Sequence, residues 1–156
     1  MTHRSVRHAT IVVERRLGAS PARVFAAWAN SDERRRWDVP GGDDWVVAEH
    51  EQDFRVGGRE RSRFGPPGDP AYLSDGTFLD IVPDARIISA GTMHDHDVPI
   101  TATLFTVEFH PDGRGTRLVL TDQSAFFGGE TETDRKAGWG EIVDRLSAYL
   151  ERAAVR

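Results

Sequence analysis

One apolar stripe near the C-terminus constrains the fold more than any other feature of the chain. Between residue 130 and about residue 153, apolar side chains recur at alternating spacings of three and four, the repeat of one face of an α-helix. The stripe consists of Trp139, Ile142, Val143, Leu146, Tyr149, Leu150 and Ala153. The charged residues of the segment fall mainly on the other side: Arg135, Lys136, Glu141, Asp144, Arg145, Glu151 and Arg152. A helix with one apolar face has to bury that face against another layer of the protein.

Residues 45–124 are predicted to form that second layer, because β-branched and aromatic residues alternate there with turn signals. The predicted strands span residues 45–50, 54–64, 72–81, 86–93, 101–109 and 116–124. The adjacent Gly57 and Gly58 predict a bulge inside the second of these strands, with Arg55 pairing to a nearby carboxylate. The turn at residues 111–113 makes the last two strands the hairpin with the strongest signal.

The N-terminal part of the chain is predicted to form one strand and two short helices. Residues 10–17 are rich in β-branched side chains and read as strand one. Ser20 followed by Pro21 is typical of a helix start, because the hydroxyl can cap free N–H groups and proline is already near the helical φ. Asn30 is predicted to cap a second helix that ends near Trp37.

This order of elements predicts an α+β fold. Its expected form is a curved antiparallel sheet of six to seven strands around the long C-terminal helix, with two short helices after strand one. The whole chain, residues 1–156, is predicted to be a single domain. A twisted sheet with bulges curls, and a curled sheet around a straight helix leaves space at one end of that helix. We expect an apolar cavity in that space.

Charge and composition narrow the classes of partner. The formal net charge of −5 argues against nucleic acid as the main partner, because phosphate binding favours a basic face. The absence of cysteine excludes disulfides, zinc–thiolate sites and a cysteine nucleophile. No apolar run approaches the roughly 20 residues that span a bilayer, so membrane insertion is not expected. The segment 1–9 does not read as a signal peptide, and a cytoplasmic location is predicted.

Several short segments, in this order and spacing, resemble a known family. They are residues 20–28, Trp37, the Asp-x-Arg-x-Gly-Gly motif at 53–58, residues 76–83 and 116–120, and Gly138-Trp139 with Leu146. The chain resembles homologues of the activator of the heat-shock-protein-90 ATPase, in the START, polyketide-cyclase and pollen-allergen-like (SRPBCC) superfamily. The resemblance covers about residues 10–152 and implies the helix-grip fold. Relatives in that superfamily carry lipids, bind hormones, sequester antibiotics or close polyketide rings.

The resemblance and the predicted cavity together suggest a set of ligand-binding residues. The set contains Trp28, Trp37, Phe64, Tyr72, Phe78, Met93, His94, Phe105 and Trp139. Pocket walls are mostly apolar side chains, and each aromatic member of the set can equally belong to the core. The family often has a second tryptophan after the first at the end of helix two. Here Asp38 follows Trp37, which puts a polar residue at the mouth of the predicted pocket.

Three charged segments receive simple interpretations. The run His94-Asp95-His96-Asp97 has two imidazoles at i and i+2, which would share one face of a strand and are candidate metal ligands. The interpretation we favour is a polar loop, because Pro99 follows, and no metal or cofactor is predicted. The triplet of residues 34–36 is predicted to be a solvated helix face, and residues 49–51 to be surface charge.

Three functions from different classes remain open at this point. The first, which we favour, is binding of a hydrophobic or amphipathic small molecule in an internal cavity between the sheet and the C-terminal helix. The second is an enzyme of the cyclase, dehydratase or hydrolase type, with polar groups drawn from Tyr72, His94, His96, Asp122 and Glu60. The third is a chaperone-associated interaction module. The oligomeric state is left open, with a homodimer as one alternative.

Overall fold

Seven antiparallel strands form one continuous sheet in the computed structural model, which describes residues 5–40 and 44–155. The strands are β1 (Arg7–Leu17), β2 (Val46–Gln52), β3 (Arg59–Gly65), β4 (Tyr72–Val82), β5 (Arg86–Asp95), β6 (Val98–Asp112) and β7 (Gly115–Phe126). Their order in the sheet is β1-β7-β6-β5-β4-β3-β2, so β1 and β2 lie at the two edges. The helices are α1 (Pro21–Ala29), α2 (Ser31–Trp37) and α3 (Glu132–Ala154). The predicted helix-grip fold is confirmed.

The ends of the helices are set by local capping, as the sequence predicts. The Ser20 hydroxyl accepts a hydrogen bond from the Arg23 amide at 3.2 Å, and Pro21 opens α1. Asn30 ends α1 and caps α2, because its side-chain oxygen accepts from the Glu33 amide at 3.0 Å. Thr131 precedes α3 and forms a capping box with Asp134. The Thr131 hydroxyl accepts from the Asp134 amide, and the Asp134 carboxylate accepts from the Thr131 amide. These caps satisfy N–H groups that the helix itself leaves unpaired.

Helix α3 buries its apolar stripe against the concave face of the sheet. Ile142, Val143, Leu146 and Leu150 are all buried, with Leu146 fully enclosed. The C-terminal half of the helix is also fixed to the short helices, where the Tyr149 hydroxyl donates to the Glu33 carboxylate at 2.7 Å. No helix within residues 5–40 or 44–155 has the length and apolar content to cross a membrane.

The Gly57–Gly58 segment departs from the prediction. The two glycines lie in the connection between β2 and β3, and the predicted strand across residues 54–64 is wrong in its first half. Gly57 has a φ of 84°, and a Cβ on Gly58 would meet the Asp53 carbonyl oxygen at 1.9 Å, so both positions favour glycine for a tight turn. Arg55 pairs with the Asp53 carboxylate at 2.8 Å, as predicted.

Register shifts that bend the sheet occur elsewhere. They lie between Val47 and Glu49 in β2, between Phe78 and Asp80 in β4, and between Pro99 and Thr101 in β6. A bulge bends a strand and increases its twist. The bulges on these strands help the sheet to curve around α3.

Candidate functional site

A half-enclosed cavity of about 610 Å³ lies between the concave face of the sheet and the N-terminal half of α3. Its floor comes from strands β3 to β6, and the end of α2 forms part of the wall. Because side chains alternate along a strand and the register is known, the inward residues follow rows across the sheet. One such row runs across four neighbouring strands: His50 lies opposite Ser62, Ser62 lies opposite Ser74, and Ser74 lies opposite Met93.

Two facing glycines keep the centre of the floor free of side chains. Gly76 on β4 lies directly opposite Gly91 on β5. A Cβ on Gly91 would lie 2.3 Å from the Asp75 carbonyl oxygen and 2.7 Å from the Gly76 Cα, so the two backbones approach too closely for a larger residue. Glycine at both positions therefore allows the close approach and leaves open space above it.

Aromatic rings form two separate groups on the cavity wall. Phe105 of β6 stacks on Trp139 of α3, with ring centroids 4.4 Å apart and planes 9° apart. At the other side, Tyr72 stacks on Trp45 at 5.5 Å and on Phe64 at 5.9 Å. Such faces present a flat apolar surface that favours flat apolar groups in a ligand.

A buried ionic network surrounds Arg135, close to the Phe105–Trp139 pair. The Arg135 guanidinium donates to both carboxylate oxygens of Glu130 at 3.0 and 2.7 Å and to Asp122 at 3.1 Å. Its remaining two N–H donors reach the hydroxyls of Thr101 at 2.8 Å and Thr103 at 3.3 Å. All five donors of the guanidinium are therefore used.

The carboxylate of Asp122 is equally well satisfied, although only 1% of the residue is exposed. It accepts from Arg135, from the Trp139 indole N–H at 2.9 Å and from the Ser124 hydroxyl. Burial lowers the pKa of Arg135, but the hydrogen bonds to Glu130 and Asp122 and the charges of these carboxylates outweigh burial and raise that pKa above its ordinary value. The prediction that Arg135 lies on the solvent-exposed face of the helix is wrong. Its side chain is buried between the helix and the sheet, where Glu130, Asp122 and the two threonines accept its hydrogen bonds.

Arg34 forms a second buried network at the opposite end of the cavity. It donates to Asp38 at 2.9 Å, to Glu60 at 2.7 Å and to the Gln52 side-chain oxygen at 2.7 Å. Its guanidinium also lies over the Trp28 ring, 5.7 Å from the centroid. The predicted solvated face of residues 34–36 is therefore wrong for Arg34, while the other two arginines are exposed.

His50 is a wall residue that sequence analysis placed among surface charges. Its side chain is half-buried, and the Nε2 atom is buried without a hydrogen-bond partner. Burial, and then the positive charge of Arg34, lower the pKa of His50 below its ordinary value of 6.5. His50 is therefore a neutral imidazole at pH 7. In the sequence, the signal for an inward His50 is its spacing of two from Gln52, because residues i and i+2 of a strand share one face.

The structure divides the predicted ligand-binding residues into two groups. Phe64, Tyr72, Met93, Phe105 and Trp139 line the cavity, and so do Asp122 and Glu60 from the predicted polar set. Trp28, Trp37 and Phe78 are fully buried in the core instead. The Trp28 and Trp37 rings pack edge to face at 4.7 Å, and the Trp37 indole donates to the Ala27 carbonyl at 3.3 Å. Their bulk joins α1 and α2 to the sheet, away from the cavity.

His94 and His96 do not share a face. His94 contacts the exposed Thr92 hydroxyl at 3.0 Å, and His96 lies in the turn after β5 with a φ of 48°. Hydrogen bonds from His96 to Asp69 and Asp95 raise its pKa. Neither histidine lines the cavity. Across the described residues, no three His, Cys, Asp or Glu side chains are grouped so that they could hold a metal ion.

Comparison with known sequences identifies the family. The family model described as Activator of Hsp90 ATPase homolog 1-like protein matches residues 18–151. The chain belongs to this family. The match covers both short helices, most of the cavity wall and nearly all of α3, so the predicted resemblance is confirmed. No curated protein matches the chain in sequence.

Solved structures show that this architecture recurs in bacteria. The Mll3558 protein from Rhizobium loti is 44% identical, with a TM-score of 0.82 over 93% of this chain and 99% of that one. An uncharacterized protein from Rhizobium leguminosarum is 39% identical, with a TM-score of 0.86 over 95% and 97%. CalU16 from Micromonospora echinospora is 18% identical, with a TM-score of 0.63 over 98% and 90%, and shares the fold alone.

Proposed function

We propose that this protein binds an amphipathic small molecule with a flat apolar part in the cavity beneath α3. The observation that carries the proposal is a cavity of about 610 Å³ whose wall contains both stacked aromatic rings and polar groups. Ligand sites typically occupy roughly 300–1,000 Å³ and combine an apolar lining with a few placed polar groups. Burial of apolar ligand surface contributes about 25 cal/mol per Å² to such binding.

The polar groups of the wall define what the rest of the ligand has to satisfy. Ser62, Ser74 and Thr103 are lining residues with hydroxyls, and His50 adds an unpartnered buried nitrogen. A buried polar atom without a partner costs about 1–3 kcal/mol. A ligand group that hydrogen-bonds His50 recovers part of that cost, so a wholly apolar ligand is disfavoured.

Filling the cavity should abolish binding. We expect Ser74→Phe to remove the thermal shift that lipids, aromatic polyketides or flavonoids give with the unchanged protein, because the new ring occupies the floor. Thr77→Phe is the matched control, since Thr77 is exposed, lies on the same strand three positions later and does not line the cavity. Absence of a shift with every ligand class, or an equal loss in both variants, would count against the proposal.

An enzyme acting on the same ligand is the second candidate, and His50 favours it. A neutral imidazole with a free nitrogen beside a substrate is suited to act as a general base. The charged groups around it are Arg34, Arg35, Asp38 and Glu60. This candidate belongs to the predicted cyclase, dehydratase or hydrolase types, in which a proton has to be moved.

Substitution of His50 separates catalysis from binding. If the protein is an enzyme, we expect His50→Gln to keep ligand binding within about threefold while product formation falls at least about 100-fold. The rate of the unchanged protein should fall only below about pH 6.5, because the lowered pKa keeps His50 neutral above that value. Product detected by mass spectrometry at equal rates in both proteins would exclude His50 as the base.

The remaining partner predictions rest on the family name and on charge alone. A chaperone-associated role predicts stimulation of a heat-shock-protein ATPase by the purified chain, and a pull-down at micromolar concentration tests it. The cytoplasmic location and a homodimer also stay predictions, the latter measurable by sedimentation.

A further inference from the structure

Carboxylates outnumber the cations on the wall of the cavity. Arg34 pairs with two carboxylates, Asp38 and Glu60. Arg135 likewise pairs with Asp122 and Glu130. Each of the two networks therefore carries one net negative formal charge. Asp95, Asp134 and Glu141 also line the cavity and add further carboxylates, of which Asp95 is hydrogen-bonded to the exposed His96 at 2.7 Å. A cleft with one dominant sign of charge and low-dielectric walls concentrates the field inside it.

Neither buried arginine of the lining is available to an anionic ligand. Every N–H of Arg135 already has an acceptor, and two carboxylates neutralise its single charge. Arg34 is likewise held between Asp38 and Glu60. The third lining cation, Arg61, alternates along β3 with the inward Ser62, so its side chain belongs to the outer face of the sheet. There it lies opposite Asp75, whose carboxylate pairs with Arg59 at 2.7 Å. To reach either buried guanidinium, an anionic head group would have to displace the carboxylates of Arg34 or of Arg135.

The electrostatic potential is also negative at the aromatic group formed by Trp45, Tyr72 and Phe64. Burial, and then the negative charges of Asp95 and Glu130, raise the pKa of the Tyr72 hydroxyl. The charges of two different elements, the end of β5 and the segment before α3, therefore act on one ring. The stacked faces of Tyr72, Trp45 and Phe64 attract cations electrostatically as well.

We propose that the cavity selects cationic amphiphiles, namely amines or quaternary ammonium compounds that carry an aromatic group, over anionic ones such as fatty acids. This inference rests on the proposed binding function and specifies its ligand class. The apolar ring of the ligand would lie against the aromatic wall, and the ammonium group would lie among the carboxylates.

Three probes with the same ring system test the charge preference. They are 1-naphthylmethylamine, 1-naphthylmethanol and 1-naphthylacetate, which are cationic, neutral and anionic at pH 7. We expect calorimetric titration to give the amine at least about tenfold higher affinity than the acetate, with the alcohol between them. The preference should shrink as salt is raised, because salt screens interactions with partly exposed charges.

A charge placed inside the cavity should reverse the preference. Ser74→Lys is expected to reduce amine affinity about tenfold and to strengthen acetate binding. Thr77→Lys makes the same change in net charge on the outer face and is expected to leave the preference intact. Equal affinity for amine and acetate, with the alcohol still bound, would overturn the charge preference and leave the proposed function standing. Failure of all three probes to bind would overturn both.

Discussion

Replacement of Arg135 by methionine is expected to lower the free energy of unfolding by about 3–5 kcal/mol, the cost of leaving a buried charge without its partner. Asp122 would be left without its cationic partner in a site where 1% of the residue is exposed. The two threonine hydroxyls and Glu130 would lose their shared donor as well. Urea unfolding followed by circular dichroism measures the change.

The neighbouring Lys136 provides the control for this prediction. Lys136→Met removes a positive charge from the next residue of the same helix, where the side chain is exposed, and should change stability by less than about 0.5 kcal/mol. Arg135→Lys should fall between the two, because lysine keeps the charge but has three donors instead of five. Equal stability of the Arg135→Met and Lys136→Met variants would refute the role given to the network.

Replacement of Arg34 by methionine should cost about 3 kcal/mol for the same physical reason. Asp38 and Glu60, whose side chains are 19% and 18% exposed, would face each other without a cation between them. The substitution should also raise the pKa of His50, because the charge of Arg34 now lowers it. Urea unfolding gives the first quantity, and an NMR titration of the imidazole gives the second.

Arg36 is the matched control within the same basic triplet. Its side chain is exposed, so Arg36→Met should alter stability by less than about 0.5 kcal/mol and should not move the His50 titration. A loss of stability in Arg34→Met without any change in the pKa of His50 would show that the positive charge of Arg34 does not influence the titration of that imidazole. Unchanged stability would show that the ion pairs contribute nothing to the fold.

Local signals in the sequence predicted the elements well. Ser20, Asn30 and the 3.6-residue stripe of α3 act within one or two turns, so their effects are visible in a short window. The Gly57–Gly58 segment was misjudged because glycines inside a bulge and glycines in a turn look alike. Which of the two occurs depends on how β2 and β3 pair, and pairing is not a local property.

The charged part of the site was not predictable from local pattern. Arg135 follows a helical repeat that puts it among solvated residues, and its buried partner Asp122 is 13 residues away on β7. Arg34 pairs with Glu60, 26 residues away on β3. The same reason explains why Trp28 and Trp37 were assigned to the cavity: an apolar stripe predicts burial, but it does not distinguish the core from a pocket wall.

The positions of β1 and β2 at the sheet margins bear on how copies of this protein meet. An unpaired strand offers its backbone to any other strand that approaches, which is how sheets join or aggregate. The outermost strands carry charged side chains along their length, Glu14, Arg15 and Arg16 on one and Glu49 and Glu51 on the other. Bringing two copies of the β2 margin together would place the acidic Glu49 and Glu51 of both near one another, so continuation of the sheet through β2 is opposed.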